Sequence, residues 1–320
     1  MVGPRRWQRN RGRTASRPLD IPPRGWLDIA TRVRAEVADD HTTLSAAGVA
    51  FYLFLSFIPG LSAVVSVFGL VAEPADVQQR VQSLFSTLPT DARQLVVDQL
   101  SSIVDQTGRA LTVGLVSSIA LSLWSASSGV GHLMEAIGVA YGQRERRGMV
   151  RRRLLALSVT AAAVSGLGVV IGLVALSSWL SRRVELAGWI TWLVRLAWMP
   201  IVLVGFVAGL AALYRVALSR RAAKWRWVST GSVVAVVIWL VASFGFQLYV
   251  TNFGSYNKTY GSLAAVVILL FWLFLTAFAI LLGAQINAEL EHQTEIGTTV
   301  GPDRPLGQRQ ATMADTVATP

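Results

Sequence analysis

The sequence predicts an all-α polytopic integral membrane protein, a six-transmembrane-helix bundle with a small amphipathic extracytoplasmic helical segment between helices 1 and 2. Three observations carry that expectation. Residues 41–72 contain no Asp, Glu, Lys or Arg, and comparable stretches follow at 110–134, 154–181, 186–214, 227–257 and 259–288, only the fourth being interrupted, by Arg195. A hydrocarbon core about 30 Å thick is crossed by about 20 apolar residues of helix, so each stretch spans once. Backbone groups have no water to bond inside a bilayer, which demands helices or a closed barrel, and the unbroken apolar run 264–270 lacks the alternation of a barrel strand. The third observation is the placement of charge.

The net charge is +11, and 22 of the 29 Lys and Arg residues lie in four clusters: before residue 41, at 144–153, at 215–226 and after 291. All four fall on one side of a six-span topology, with six basic residues opposite and Arg195 within a span. This bias predicts that both termini are cytoplasmic and that the basic segments rest against anionic headgroups of the bilayer. Nucleic-acid binding is not expected, because the Arg clusters follow helix ends and lack interleaved aromatics for base stacking. With no cysteine, the chain has neither disulfides nor thiolate metal sites. Residues 1–40 contain no 7-to-15-residue apolar core of a cleavable signal, so the first span is expected to act as its own insertion signal.

In chain order, residues 1–40 read as a basic cytoplasmic tail, partly disordered. Span 1, about 44–71, carries Pro59-Gly60 near its middle, where a lost amide donor predicts a kink. Gly48, Tyr52, Ser56, Pro59, Gly60, Ala63 and Ser66 share one face, which should pack on protein or line a cavity. Residues 73–108 place apolar side chains at helical spacing on both sides of Pro89, predicting two amphipathic helices that cap the bundle or gate it. Span 2, about 111–140, contains the small-residue run 125–129, then His132 and Glu135. Spans 3 to 6 are predicted at about 154–179, 189–213, 228–250 and 262–288. Residues 251–261, with Tyr256 and Tyr260, form an amide- and phenol-rich outer loop. On span 6, Gly283 and Asn287 lie on one face with Thr276 and Ala279, so its polar inner end needs protein partners. The six-helix domain is expected to cover 41–291, with 292–320 a disordered cytoplasmic tail. Pro59 and Pro200 occupy the first members of two three-span halves, the placement seen in inverted-repeat transporters, although no residue similarity relates the halves.

Ionisable residues within spans are functional by default, so Arg195, His132 and Glu135 are the first candidates. Arg195 lies about 9 Å into span 4, where it either snorkels outward between Trp192 and Trp198 or reads an anionic substrate. His132 and Glu135, three apart, form either a structural hydrogen-bonded pair or a proton relay. Tyr52, Ser56, Pro59, Gly60, Tyr256, Tyr260, Gly283 and Asn287 complete the candidate pathway and packing set. Glu289 and Glu291 read as solvated anchors at the last helix end. No catalytic, cofactor-binding or metal-binding set is expected: the three His are widely separated, and no phosphate loop, nucleophile elbow or H-E-x-x-H pair occurs.

Three blocks of residues carry a family resemblance. The first is 44–59, Leu-Ser-Ala-Ala-Gly-Val-Ala-Phe-Tyr through Leu55-Ser56 to Pro59; the second runs from Trp124-Ser125-Ala126-Ser127-Ser128-Gly129 through Ala140-Tyr141-Gly142 to Glu145-Arg146-Arg147-Gly148. The third, and most specific, is Tyr256-Asn257-Lys258-Thr259-Tyr260-Gly261 through Trp272 to the run 282–290 ending Asn287-Ala288-Glu289-Leu290. Together they resemble the YihY/BrkB family of bacterial inner-membrane proteins over about residues 44–291. One departure is Gly138, where the family often has Asn. The resemblance implies a bacterial inner-membrane protein with six spans and both ends inside. It implies function more loosely: a transporter or flippase of an amphiphilic or anionic solute or lipid, or a non-transporting scaffold for envelope or lipid-handling proteins. Some members have carried a ribonuclease label, which the residue inventory does not support. Substrate and cofactor are not named by any motif, and Ser, Gly and Ala faces suit homo-oligomer packing and internal packing equally.

Overall fold

The computed structural model describes residues 11–68, 113–183, 188–252 and 262–318. Among them the fold is all-helical: α1 Pro23–Asp39, α2 Thr42–Phe68, α3 Val113–Ala140, α4 Met149–Arg183, α5 Gly188–Ala217, α6 Trp225–Asn252, α7 Ser262–Gln293 and a single turn, α8 Thr312–Asp315. Among the described residues four stretches are long and apolar enough to cross a membrane (Met149–Val170, Pro200–Ala217, Trp225–Thr251, Ala264–Gln293), and Thr42–Phe57 is a shorter apolar helix. The extracytoplasmic segment expected at 73–108, and the loop carrying Tyr256 and Tyr260, lie outside the described residues.

Helices α2 to α7 pack in chain order, and α7 closes the ring by packing on α2, α3 and α6. Small side chains set these approaches. On the α2–α3 seam Ala46, Ala50 and Ser56 are buried with Ala126 and Ser127, and the backbone N–H of Gly129 donates to Ser56 Oγ at 3.1 Å. On the α6–α7 seam a Cβ on Gly283 would lie 2.5 Å from the Tyr214 hydroxyl and 2.7 Å from the Gly231 carbonyl oxygen, so only glycine permits this crossing. The opposite surface is apolar: on α6, Val233, Val237, Leu240, Val241, Phe244 and Leu248 are exposed at helical spacing, as expected of a face turned to lipid.

The end of the bundle that gathers the basic loops is covered by both terminal segments, where the composition predicts disordered tails. Helix α1 starts at the Pro22-Pro23 pair and buries Gly25, Ile29 and Val33 at four-residue spacing, the two branched side chains in a cluster with Trp227 and Leu290. A left-handed residue, His41, turns it into α2. The segment after α7 folds back over the 222–224 loop: Lys224 N–H donates to the Thr298 carbonyl at 2.8 Å and Val300 N–H to that of Ala222 at 2.9 Å. Arg309 bonds the carbonyls of Glu295, Arg304 and Ala314, and Glu295 N–H donates to the Arg13 carbonyl. These segments have too few apolar residues for a core of their own, and instead borrow partners from each other and from the bundle end.

Candidate functional site

Two polar groupings sit at the basic end. The first lies on the α2–α3 seam and contains four of the expected residues. His132 is eight residues from the end of α3 and Tyr52 ten from the start of α2, about 12 and 15 Å along their helices, and their rings stack with centroids 3.6 Å apart. Next to them Ser56 holds the Gly129 N–H. One turn on, Glu135 accepts from Arg152 Nη2 at 2.6 Å while His132 Nδ1 stands 3.7 Å from the same carboxylate. The grouping opens sideways: Tyr52 is 39 % exposed, and the side chains of His132 and Glu135 are 38 % and 53 % exposed. An aromatic–imidazole stack beside a carboxylate–guanidinium pair can bind a polar headgroup or pass a proton.

The second grouping is buried and closes the α5–α6–α7 end. Glu291 accepts both η nitrogens of Arg220, at 2.8 and 2.6 Å, and the Thr298 hydroxyl at 3.2 Å. The Arg220 guanidinium lies 4.7 Å over the Tyr141 ring. Burial opposes the charge on Arg220, but the Glu291 carboxylate beside it outweighs burial and lifts its pKa, so the guanidinium stays charged. Burial pushes the Tyr141 phenol well up, keeping it neutral. Tyr141 reaches this position because Gly142, at φ +56°, ends α3 in a left-handed turn, with Gly142 N–H on Val139 O and Gln143 N–H on Gly138 O. Glu289 is likewise buried and bonded to Arg32, which also reaches Gln293. The solvated-anchor expectation for Glu289 and Glu291 is therefore corrected: helix α1 supplies Arg32 to Glu289, the 218–224 loop supplies Arg220 to Glu291, and both carboxylates are buried.

Gly283 and Asn287 belong to packing. Asn287 accepts the Gly231 N–H at 2.8 Å and donates to the Val228 carbonyl at 3.0 Å, fully buried between α6 and α7. Gln285 donates to Thr42 Oγ at 2.8 Å and lies 3.5 Å from Asp40, whose carboxyl pKa is raised by burial and, less strongly, by Asp39, with Gln285 opposing. Pro59 lies within α2, half-buried, and Gly60 follows it in the helix; Arg195 falls within α5, its side chain outside the described residues. Among the described residues no three His, Asp or Glu side chains converge to hold a metal ion. The Arg220–Glu291–Tyr141–Thr298 grouping has no periodic signature, since its members come from four separate segments. Its one trace in the sequence is the Tyr141-Gly142 pair of the second motif block.

A ribonuclease-like protein, YfkH, of Bacillus subtilis is 28 % identical over 261 residues, covering 78 % of this chain and 90 % of its own. A UPF0761 membrane protein of Tolumonas auensis is 26 % identical over 261 residues, covering 78 % and 81 %, and another of Nitrosospira multiformis is 27 % identical over 275 residues, covering 82 % and 61 %. No solved structure matches. The sequence model of the family described as virulence factor BrkB matches residues 33–305, which takes in both polar groupings except Arg32, and the chain is a membrane protein belonging to that family.

Proposed function

We propose that the protein is a six-span bacterial inner-membrane transporter or flippase of an amphiphilic or anionic solute or lipid, with the basic end and both termini cytoplasmic. The observation that carries this reading is the Tyr52–His132–Glu135–Arg152 grouping, ionisable and open sideways within otherwise apolar helices. The α6–α7 seam beside it is filled by Gly231, Gly283, Asn287 and Tyr214. The route suggested is therefore a lateral, lipid-facing one along α2 and α3, since among the described residues the α6–α7 seam is closed by packing. Orientation rests on the basic clusters, and the reading is non-enzymatic because the donor sets of hydrolytic metal chemistry are missing from the sequence.

A second reading, a non-transporting scaffold, draws on the collar that residues 11–41 and 293–318 build over the basic end, a surface suited to docking proteins. The two are separated by reconstituting the full chain into vesicles with a headgroup-labelled anionic lipid and following leaflet exchange, with and without an imposed pH gradient. Transport predicts faster exchange than in empty vesicles, slowed in Tyr52→Leu and His132→Leu and, where Arg195 reads the anion, in Arg195→Gln. Exchange no faster than in empty vesicles, with folded protein present, refutes the flippase reading for that lipid and moves the scaffold ahead.

A further inference from the structure

Helix α4 opens with three consecutive arginines, and its periodicity divides them between two seams. Arg152, Ala156 and Thr160, at four-residue spacing, turn toward α3: Arg152 pairs with Glu135, and Ala156 is buried beside Gly131. Arg151, Leu154 and Ser158 turn the other way, toward the end of α5. There they wall a cleft of about 410 Å³ together with Arg147, Arg215, Val216 and Arg220.

The four guanidiniums at this cleft are not equivalent. Arg147 is spent on the last carbonyls of α5, donating to Val216 at 3.1 Å, to Ala217 at 3.3 Å and to Leu218. Arg215 is held over the Trp225 ring at 4.3 Å, and Arg220 is neutralised by Glu291. Glu145, exposed, accepts the backbone N–H of Arg147 at 2.8 Å. Arg151 has no hydrogen-bond or ion-pair partner among the described residues. Arg151 and Arg215 therefore bring two charges without a carboxylate to one cleft, next to the N-terminus of α4, which adds partial positive charge. On the other side the walls are apolar and open, with Leu154 58 % exposed and Val216 also exposed.

We propose that this cleft binds the phosphate of an anionic phospholipid, with Arg151 and Arg215 taking the phosphate oxygens and Leu154 and Val216 lying along the acyl chain. The planar guanidinium fork matches phosphate geometry, and the volume falls in the range of small-molecule sites, about 300–1,000 Å³. The apolar wall favours an amphiphile over a free ion. The inference rests on the placement of the basic end at the membrane surface and concerns binding alone, so it stands or falls apart from leaflet exchange.

The test is calorimetric titration of the full chain in neutral detergent with short-chain phosphatidylglycerol, short-chain phosphatidylcholine and inorganic phosphate, using wild type, Arg151→Gln, Arg151→Lys and the exposed control Arg144→Gln. Phosphatidylglycerol is expected to bind best. Arg151→Gln should weaken it about tenfold, the size of one lost charge-assisted hydrogen bond, while Arg151→Lys recovers part of the loss and Arg144→Gln changes nothing. Inorganic phosphate binding as tightly, with the same dependence on Arg151, upholds the phosphate site and overturns its lipid source. Equal binding of both lipids, or equal affinity in wild type and Arg151→Gln with unchanged helical content, overturns the proposal.

Discussion

Replacing Glu291 by Gln keeps its shape and removes its charge, leaving the Arg220 guanidinium without a counterion at a site where the two side chains are 2 % and 0 % exposed. Three hydrogen bonds end on the Glu291 carboxylate, two from Arg220 and one from Thr298. Breaking a buried pair by removing one partner costs about 3–5 kcal/mol, because a desolvated charge is left behind. Removing both charges together, in Arg220→Met with Glu291→Leu, removes that penalty, and the double variant should be more stable than either single one. At about 2 °C per kcal/mol for a chain of this size, Glu291→Gln should melt about 6–10 °C below wild type in detergent. Thr298 also loses a charged acceptor, so proteolysis of the terminal segment should begin at lower temperature than melting of the bundle. Single variants that melt with wild type, or a double variant no better than the worse single one, would refute the claim that this pair is buried and energetically coupled.

Gly283→Ala puts a Cβ 2.5 Å from the Tyr214 hydroxyl, 2.6 Å from Ala235 Cβ and 2.7 Å from the Gly231 carbonyl oxygen. Backbone cannot yield cheaply, so this one methyl should destabilise by about 1–3 kcal/mol, read as a lower detergent melting point. Asn287→Leu removes the side-chain acceptor of the Gly231 N–H and one donor to the Val228 carbonyl, which keeps the Ser232 hydroxyl, and should cost about 1–2 kcal/mol; unchanged melting would deny the interhelical bonds. Asp40, with a raised carboxyl pKa, binds its proton more tightly folded than unfolded. Its ionisation therefore weakens the fold as pH rises from the ordinary carboxylate range through the raised value, and acidification through that window restores it. Asp40→Asn, which keeps a partner for Gln285, should be more stable than wild type at neutral pH and lose that advantage in acid, as followed by paired melts across pH.

The helical spans were legible because a bilayer offers the backbone no water: long stretches without Asp, Glu, Lys or Arg have to be helices, whatever they pack against. The packing role of Gly283 and Asn287 was legible for a related reason, since a small residue and an amide at one helical spacing need a close protein neighbour. What that reasoning missed was the fate of charged groups near the ends. Glu289 and Glu291 carry the same signature as any solvated carboxylate, and their burial depends on Arg32 and Arg220, hundreds and tens of residues away in the chain. The terminal segments were misread for the same reason, composition being silent about acceptors that other segments present.

Hydropathy and charge by themselves determined that this chain is helical, apolar over most of its length and basic at one end, because each of those properties is summed over many residues and tolerates local error. The tertiary structure alone decided which helices adjoin, that Tyr52 meets His132, that Arg152 pairs with Glu135 while Arg151 has no partner among the described residues, and that residues 11–41 and 293–318 fold onto the bundle. Those outcomes turn on single contacts of a few ångströms between residues far apart in sequence, and no periodicity along the chain encodes them.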